Sequence, residues 1–213
     1  LGFDRVVSTL PTGALAALCP QLAEPERERL QGVVYQGIVC AAMLTREPLS
    51  PYYVTNITDR WVPFTGVIEM TALVDRERFG GHSLVYLPIY LPQDDPGWGR
   101  SDDEIREACL AALERIYPHF RREHAIDFKV SRARQVLAIS TLDYSQRWMP
   151  PVETSLPNVF VLNSAQIANG TLNVNETLGV VHAHLDRLVR GMTGVAAQDA
   201  RRPAGAPTQA AAG

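Results

Sequence analysis

Chemistry-bearing residues concentrate in one stretch, Asn158–Leu188, with the sequence NVFVLNSAQIANGTLNVNETLGVVHAHLDRL. Its first five residues are apolar, β-branched or aromatic apart from Asn158, the composition of a strand covered on both faces. Asn169-Gly170 follows as a turn signal. From Asn173 or Val174 onward, Leu178, Val181, Leu185 and Leu188 recur at three- and four-residue steps, which predicts a helix with one apolar face. Asn173 can accept from a free N–H of the first turn, where Asn175 and Glu176 also lie. A helix N-terminus behind such a loop offers free N–H groups and the positive end of a dipole, and these attract an anion, most often a phosphate. Glu176 opposes an anion there, and strand–loop–helix units that bind nothing are common, so spacing alone leaves both readings open.

Other patterns carry less. Gly81-His82-Ser83 begins like a nucleophile elbow, but Val85 stands where the closing glycine belongs and LVYLPIYL continues as a strand instead of a helix. His182 and His184 are two residues apart on a predicted helix, so they face different directions and cannot form an i, i+4 metal pair. Arg132 and Arg134 share one face of an extended segment and could clamp an anionic substrate, although arginines there are more often solvated or ion-paired. Gly97-Trp98-Gly99 lacks the third glycine of a dinucleotide fingerprint. Sequons at Asn56, Asn169 and Asn175 have no secretion signal beside them. Cys19, Cys40 and Cys109 are isolated and odd in number, which excludes a CxxC pair or a disulfide framework and points to a reducing, cytoplasmic setting. No catalytic triad or metal cluster emerges.

The elements that must position these residues read in order along the chain. With 213 residues, 46% of them hydrophobic, and a net charge of −3, the chain is long enough for a sizeable core and lacks the basic excess of a nucleic-acid binder. Nineteen of the 20 basic residues are Arg and only Lys129 is Lys, a bias that looks like genome composition. The longest apolar run, Val33–Leu44, is too short to span a bilayer, while peripheral membrane contact stays open. Phe3–Leu10 reads as a strand, Pro11–Leu18 as a short helix and Glu24–Arg29 as a polar helix or loop. Strands GVVYQGIVCAAMLT, YYVTNIT, GVIEMTALV and His82–Leu91 follow, separated by turn residues, and suggest antiparallel pairing. Ser101-Asp-Asp-Glu104 is a capping box for a helix whose Ile105, Cys109, Ala112, Leu113 and Ile116 form a core face. Ile126–Leu142 resumes strand character, and Tyr144–Pro157 is a Pro-rich connection. Residues 193–213 have no apolar period and are expected to be disordered.

The segments FDRVVSTLPTGALAAL, YYVTNITDRWVPFTGVIEMTALVD and GGHSLVYLPIYLPQDDPGW, with the ending NVFVLNSAQIANGTLNVNETLGVV, resemble the C-terminal part of FAD-dependent amine-oxidase-type oxidoreductases. That superfamily holds flavin amine oxidases, protoporphyrinogen oxidases and phytoene-desaturase-like enzymes. The resemblance runs in order from about residue 1 to 190. It implies a mixed α/β (α+β) fold. Residues 1–157 would form a substrate domain with a largely antiparallel sheet, flanking helices and a leading strand from the FAD domain. Residues 158–192 would be the last strand, loop and helix of a doubly wound FAD-binding domain. By position in that motif, Asn163, Ser164, Gly170, Thr171, Asn173, Val174 and Asn175 would contact FAD, and Arg134, Tyr144 and Trp148 would line the substrate pocket. Where the family often has glycine, this chain has Asn163 and Thr177.

The family's N-terminal βαβ unit with its GxGxxG loop does not occur in the sequence, which implies a C-terminal fragment whose partner is the missing FAD-binding half. Alone it would bind FAD weakly or not at all, and sheet edges at Asp4–Thr9 and Asn158–Asn163 would be exposed. The implied activity is hydride transfer from a small organic substrate, of amine, isoprenoid or tetrapyrrole class, to FAD. Two alternatives remain: a flavin-dependent nucleotide-sugar mutase, and a non-enzymatic binding module lacking the nucleotide half.

Overall fold

The structure, a computed structural model, describes residues 2–189, so the expected disordered tail lies outside the described residues. Among the described residues, seven strands and five helices follow in the order β1 (Val6–Ser8), α1 (Thr12–Leu18), α2 (Glu24–Gln31), β2 (Tyr35–Thr45), β3 (Val54–Asn56), β4 (Gly66–Glu69), β5 (Ser83–Leu91), α3 (Asp102–Ile116), β6 (Ala125–Ala138), α4 (Tyr144–Arg147), β7 (Val159–Val161) and α5 (Val174–Val189). Short 3-10 turns fill several connections. The fold is mixed α/β, with an antiparallel sheet and a separate parallel strand pair. No helix among the described residues is long and apolar enough to cross a membrane.

The chain divides into two compact units at 32/33 and 142/143. Val33–Leu142 is one unit; residues 2–32 and 143–189 belong to the other. The division groups residues 2–32, with the leading strand, and residues 143–157 with the C-terminal strand and helix.

In the unit Val33–Leu142, five strands form one antiparallel sheet in the order β3-β4-β5-β2-β6. One face of that sheet is turned to α3. Its helix starts because Ser101 Oγ accepts from Glu104 N–H at 3.2 Å while the Glu104 carboxylate accepts from Ser101 N–H at 2.7 Å, so two orphan donors are satisfied reciprocally. Ile105, Cys109, Leu110, Ala112 and Leu113 are buried against Val39, Ala41 and Met43 of β2, Val67 of β4 and Val85 and Leu87 of β5. Burying each of the large side chains contributes about 1.5–3 kcal/mol. β4 is shorter than the run GVIEMTALV implies, because the chain turns into a 3-10 segment at Met70–Ala72. Glu69 is buried at that corner, where it accepts from Leu49 N–H at 3.1 Å and from the Thr71 hydroxyl.

In the other unit, β1 and β7 pair in parallel, Val6 opposite Val159 and Ser8 opposite Val161. Both are three residues long, shorter than the runs Phe3–Leu10 and Asn158–Leu162. Leu15, Ala16, Leu22 and Leu30 of the α1–α2 hairpin bury Val161. Val152 and Leu188, with Phe160, Val180 and Val181 around them, cover Leu162. The second edge of β7 is not free as expected: residues 152–154 run antiparallel beside it, with Val161 N–H donating to Val152 O at 2.8 Å and Thr154 N–H to Val159 O at 3.2 Å. The outer edge of β1 is open, and Val6 and Val7 remain 48% and 41% exposed.

Candidate functional site

Parallel pairing points the carboxyl ends of β1 and β7 the same way, and ligands of open α/β sheets bind beyond those ends. The sequence after each strand is tied to the other there. Asn163, the first residue beyond Leu162, donates from Nδ2 to Leu10 O at 2.7 Å, and its Oδ1 accepts from Ala165 N–H at 2.9 Å. Its own N–H donates to Gln166 Oε1 at 3.1 Å, and Gln166 Nε2 donates back to Val161 O at 3.1 Å. The result is a rigid turn over Ser164–Gln166. Glycine at position 163 could make neither of the two Asn163 side-chain bonds, so the departure from glycine adds a fastening.

Beyond the turn, the chain reaches α5 through an exposed loop containing Asn169, Gly170 and Thr171. Asn173 caps the helix as its type and position predict: Oδ1 accepts from Glu176 N–H at 2.9 Å, and Nδ2 donates to Thr171 Oγ1 at 3.1 Å. The N–H groups of Val174 and Asn175 have no acceptor among the described residues, and Val174 is 73% exposed. Gly170 lies directly against the Glu176 side chain; a Cβ there would come within 2.7 Å of Glu176 Cδ. This close approach of the Glu176 side chain leaves no room for a Cβ at position 170. With Glu176 in its first turn, the α5 terminus suits a neutral or delocalised acceptor edge better than a doubly charged pyrophosphate.

Asn163, Ser164, Gly170, Thr171, Asn173, Val174 and Asn175 thus follow one another from the β7 exit to the α5 start. Of the three residues expected to line a pocket, Tyr144 and Trp148 belong to this unit and Arg134 does not. Tyr144 is only 4% exposed, and its hydroxyl donates to Ala165 O at 2.6 Å, so it braces the turn from inside. Trp148 lies flat against Gly32, where a Cβ would approach the indole to 2.1 Å, with the Arg147 guanidinium 5.3 Å from its ring centre. Arg134 belongs to the other unit. It covers Trp98 at 4.6 Å and donates to Gln93 O at 3.3 Å, and Trp98 in turn packs on Gly37 of β2. Arg132 is ion-paired with Asp102 at 2.6 Å and donates to Arg100 O at 2.8 Å. The expected arginine clamp is therefore occupied by the protein itself.

Ser83 opens β5 as a buried strand residue and forms no elbow. Burial pushes the Cys109 thiol up to about 12, and it raises Cys40 as well, so neither is a thiolate at neutral pH. A cavity of about 650 Å³ opens beside Arg5, Glu153, Asn158, Phe160 and Arg187, at the amino end of the strand pair and away from the candidate site.

The tie from Asn163 to Leu10 and the Tyr144 brace escape sequence reasoning because they join residues 153 and 21 positions apart. Also missed is the second face of the five-stranded sheet. Its signal was present: apart from Gln36, the run Val33–Leu44 is apolar on both alternating faces, where a strand with one solvated face would alternate with polar residues.

Solved structures share this arrangement at low sequence identity. A protein assigned as a protoporphyrinogen oxidase, from Exiguobacterium sp. 255-15, superposes with a TM-score of 0.67 at 18% identity, over 87% of this chain and 41% of that one. Reduced UDP-galactopyranose mutase gives 0.64 at 12% identity, over 92% and 43%. Putrescine oxidase bound to putrescine gives 0.60 at 16% identity, over 87% and 43%. The chain thus spans just over two fifths of the length of these proteins. No curated protein matches the sequence. The family model for flavin containing amine oxidoreductases matches residues 2–171, from the strand that opens the parallel pair to the loop before α5, and over that span the chain belongs to this family.

Proposed function

We propose that the chain is the C-terminal part of a flavin-dependent oxidoreductase that moves a hydride from a small organic substrate to FAD. The observation that carries this reading is the carboxyl edge of the β1–β7 pair, where a braced turn leads to a helix start with two free N–H groups, inside a chain of the flavin amine oxidoreductase family.

In this reading the unit holding β1, β7 and α5 belongs to the FAD-binding domain, and the five-stranded unit is the substrate domain. Val174 and Asn175 N–H groups would hold an acceptor group of the flavin, and the helix dipole would favour electron density there. Asn163 and Tyr144 keep the turn from moving. Ser164, Gly170, Thr171 and Asn173 shape the approach to it. When bound, the flavin supplies the redox chemistry, and the protein supplies orientation, exclusion of water and electrostatics. The sheet face turned away from α3 presents the surface for substrate.

The parallel pair needs completion. Parallel strands occur buried in larger sheets, and the open edge of β1 with exposed Val6 and Val7 fits a further parallel strand from a nucleotide-binding βαβ half. The test is the visible absorption spectrum of the 213-residue chain, alone and expressed with the coding sequence upstream. Flavin bands in the longer form only are expected; a folded protein without flavin in both forms would overturn the oxidoreductase reading.

A second reading is favoured by the fit to UDP-galactopyranose mutase, which covers 92% of this chain. There the flavin would be used without net oxidation. Turnover that requires reduced flavin and consumes no electron acceptor would select it.

A further inference from the structure

The register of the five-stranded sheet defines what its second face offers. One rung crosses all five strands: Val54 opposite Ile68, Ile68 opposite Tyr86, Tyr86 opposite Ala42, and Ala42 opposite Lys129. These side chains point away from α3, because their neighbours Met43, Val67, Val85 and Phe128 pack toward the core. Ile68, Tyr86, Ala42 and the adjacent Cys40 are half-buried, so the central strip is neither a sealed core nor a solvated face. It carries no charge on β2, β4 or β5. Charge appears only on the edge strand β6, as Lys129 and, one rung over, Asp127. The Asp127 carboxylate accepts from Phe128 N–H at 2.9 Å. Lys129, the single lysine among 20 basic residues, is exposed and forms no salt bridge among the described residues.

Resting on the substrate-domain reading above, we infer that this face takes a substrate with an uncharged apolar body and an acidic group at one end, and not an amine. An apolar body lying across Ile68, Tyr86 and Ala42 loses water-exposed surface on both partners. An acidic group at the β6 end meets the unpaired Lys129 ammonium. A cationic amine would lose hydration on the uncharged strip of β2, β4 and β5 and would meet a like charge at Lys129, while the carboxylate one rung over, Asp127, already accepts from Phe128 N–H.

Three probes of one shape separate these terms: 1-naphthaleneacetate, 1-methylnaphthalene and 1-naphthylmethylammonium, titrated against the 213-residue chain by naphthalene fluorescence, with circular dichroism as the check on folding. The acid is expected to bind tightest and the amine weakest. Lys129→Gln should bring the acid down by about threefold, to the level of the neutral probe, the size of an exposed charge pair. Tyr86→Gln should weaken the acid and the neutral probe together, while Val7→Asp, in the other unit, should change neither. If the amine binds as tightly as the acid and Tyr86→Gln weakens both, the face stands as a binding surface and the inferred substrate class is overturned. If Tyr86→Gln leaves all three unchanged in a folded protein, the surface itself is rejected, and the inference with it. The flavin spectrum tests the oxidoreductase reading separately from either result.

Discussion

Tyr144 and Asn163 do at the level of single bonds what a glycine-rich turn would do by close approach: they hold the backbone after β7 in one place. Because Tyr144 Oη donates to the Ala165 carbonyl inside the unit, Tyr144→Phe leaves a buried acceptor unpaired. The expected cost is about 1–3 kcal/mol of stability, read by urea denaturation. A substrate-lining tyrosine would show no such cost, so the measurement distinguishes brace from pocket wall. Gly32 is limited by space and not by backbone angle, since its φ is −76° and the Trp148 ring occupies the place of a side chain. Cys109 belongs to the same scale. Its thiol is buried in the α3 core and pushed up to about 12 from its ordinary 9.0. A thiol whose folded value is raised favours the native state fully below pH 9 and loses that contribution as pH rises from 9 toward 12, because the unfolded thiol ionises first. Among the three thiols, Cys109 is expected to react with a disulfide reagent only at the rate of unfolding, and mass mapping of the labelled peptides would show whether it does.

At the level of elements, α3 is the organiser of the sheet-bearing unit, and its N-terminus is held by a reciprocal pair. Ser101→Ala removes the acceptor for Glu104 N–H and should lower stability by about 1 kcal/mol. The Ser101 bonds, backbone first and then side chain, hold the Glu104 carboxyl below its ordinary 4.5. A depressed carboxyl favours the native state above its unfolded value and loses that contribution as pH falls through the folded one. Ser101→Ala removes the side-chain part of that effect, so NMR titration of Glu104 should show its midpoint moving up toward 4.5; an unchanged midpoint would mean that Ser101 Oγ contributes nothing to it. At α5 one acid acts on the helix and on a ligand in opposite directions. Glu176 stabilises the helix start and repels anions there at once, so Glu176→Gln should lose about 0.3–1 kcal/mol of stability by thermal denaturation.

For the whole molecule, the two units differ in how many strands their sheets hold among the described residues. The sheet of Val33–Leu142 has five strands and a helix-covered core. The parallel pair has two short strands and an open edge. Val6 N–H and Ser8 O bond across to β7, which turns the peptide groups of Val7 toward the open side. Hydrogen exchange should therefore find Val7 N–H unprotected in the 213-residue chain and protected once a nucleotide-binding half is present. Equal exchange in both would mean that no strand is added at β1.

Local order made much of this legible in the sequence alone. The α3 capping box, its apolar face, the Asn173 cap and the start of α5 each depend on residues within four positions of one another, so composition and period determine them. The extent of β1 and β7 was overestimated, because a strand ends where its partner ends and that partner lies about 150 residues away. Tyr144, Trp148 and Arg134 could not be placed by type, since each can pack inward or face a ligand and only the neighbours decide. The split of the chain at 32/33 and 142/143 was likewise hidden, because residues 2–32 and 143–157 join β7 and α5 through contacts that cross the whole sheet-bearing segment. Sequence determined α3 and α5 and where they start, because caps and apolar period are local; tertiary structure decided which side chains are left free, because burial and long-range hydrogen bonds claim them first.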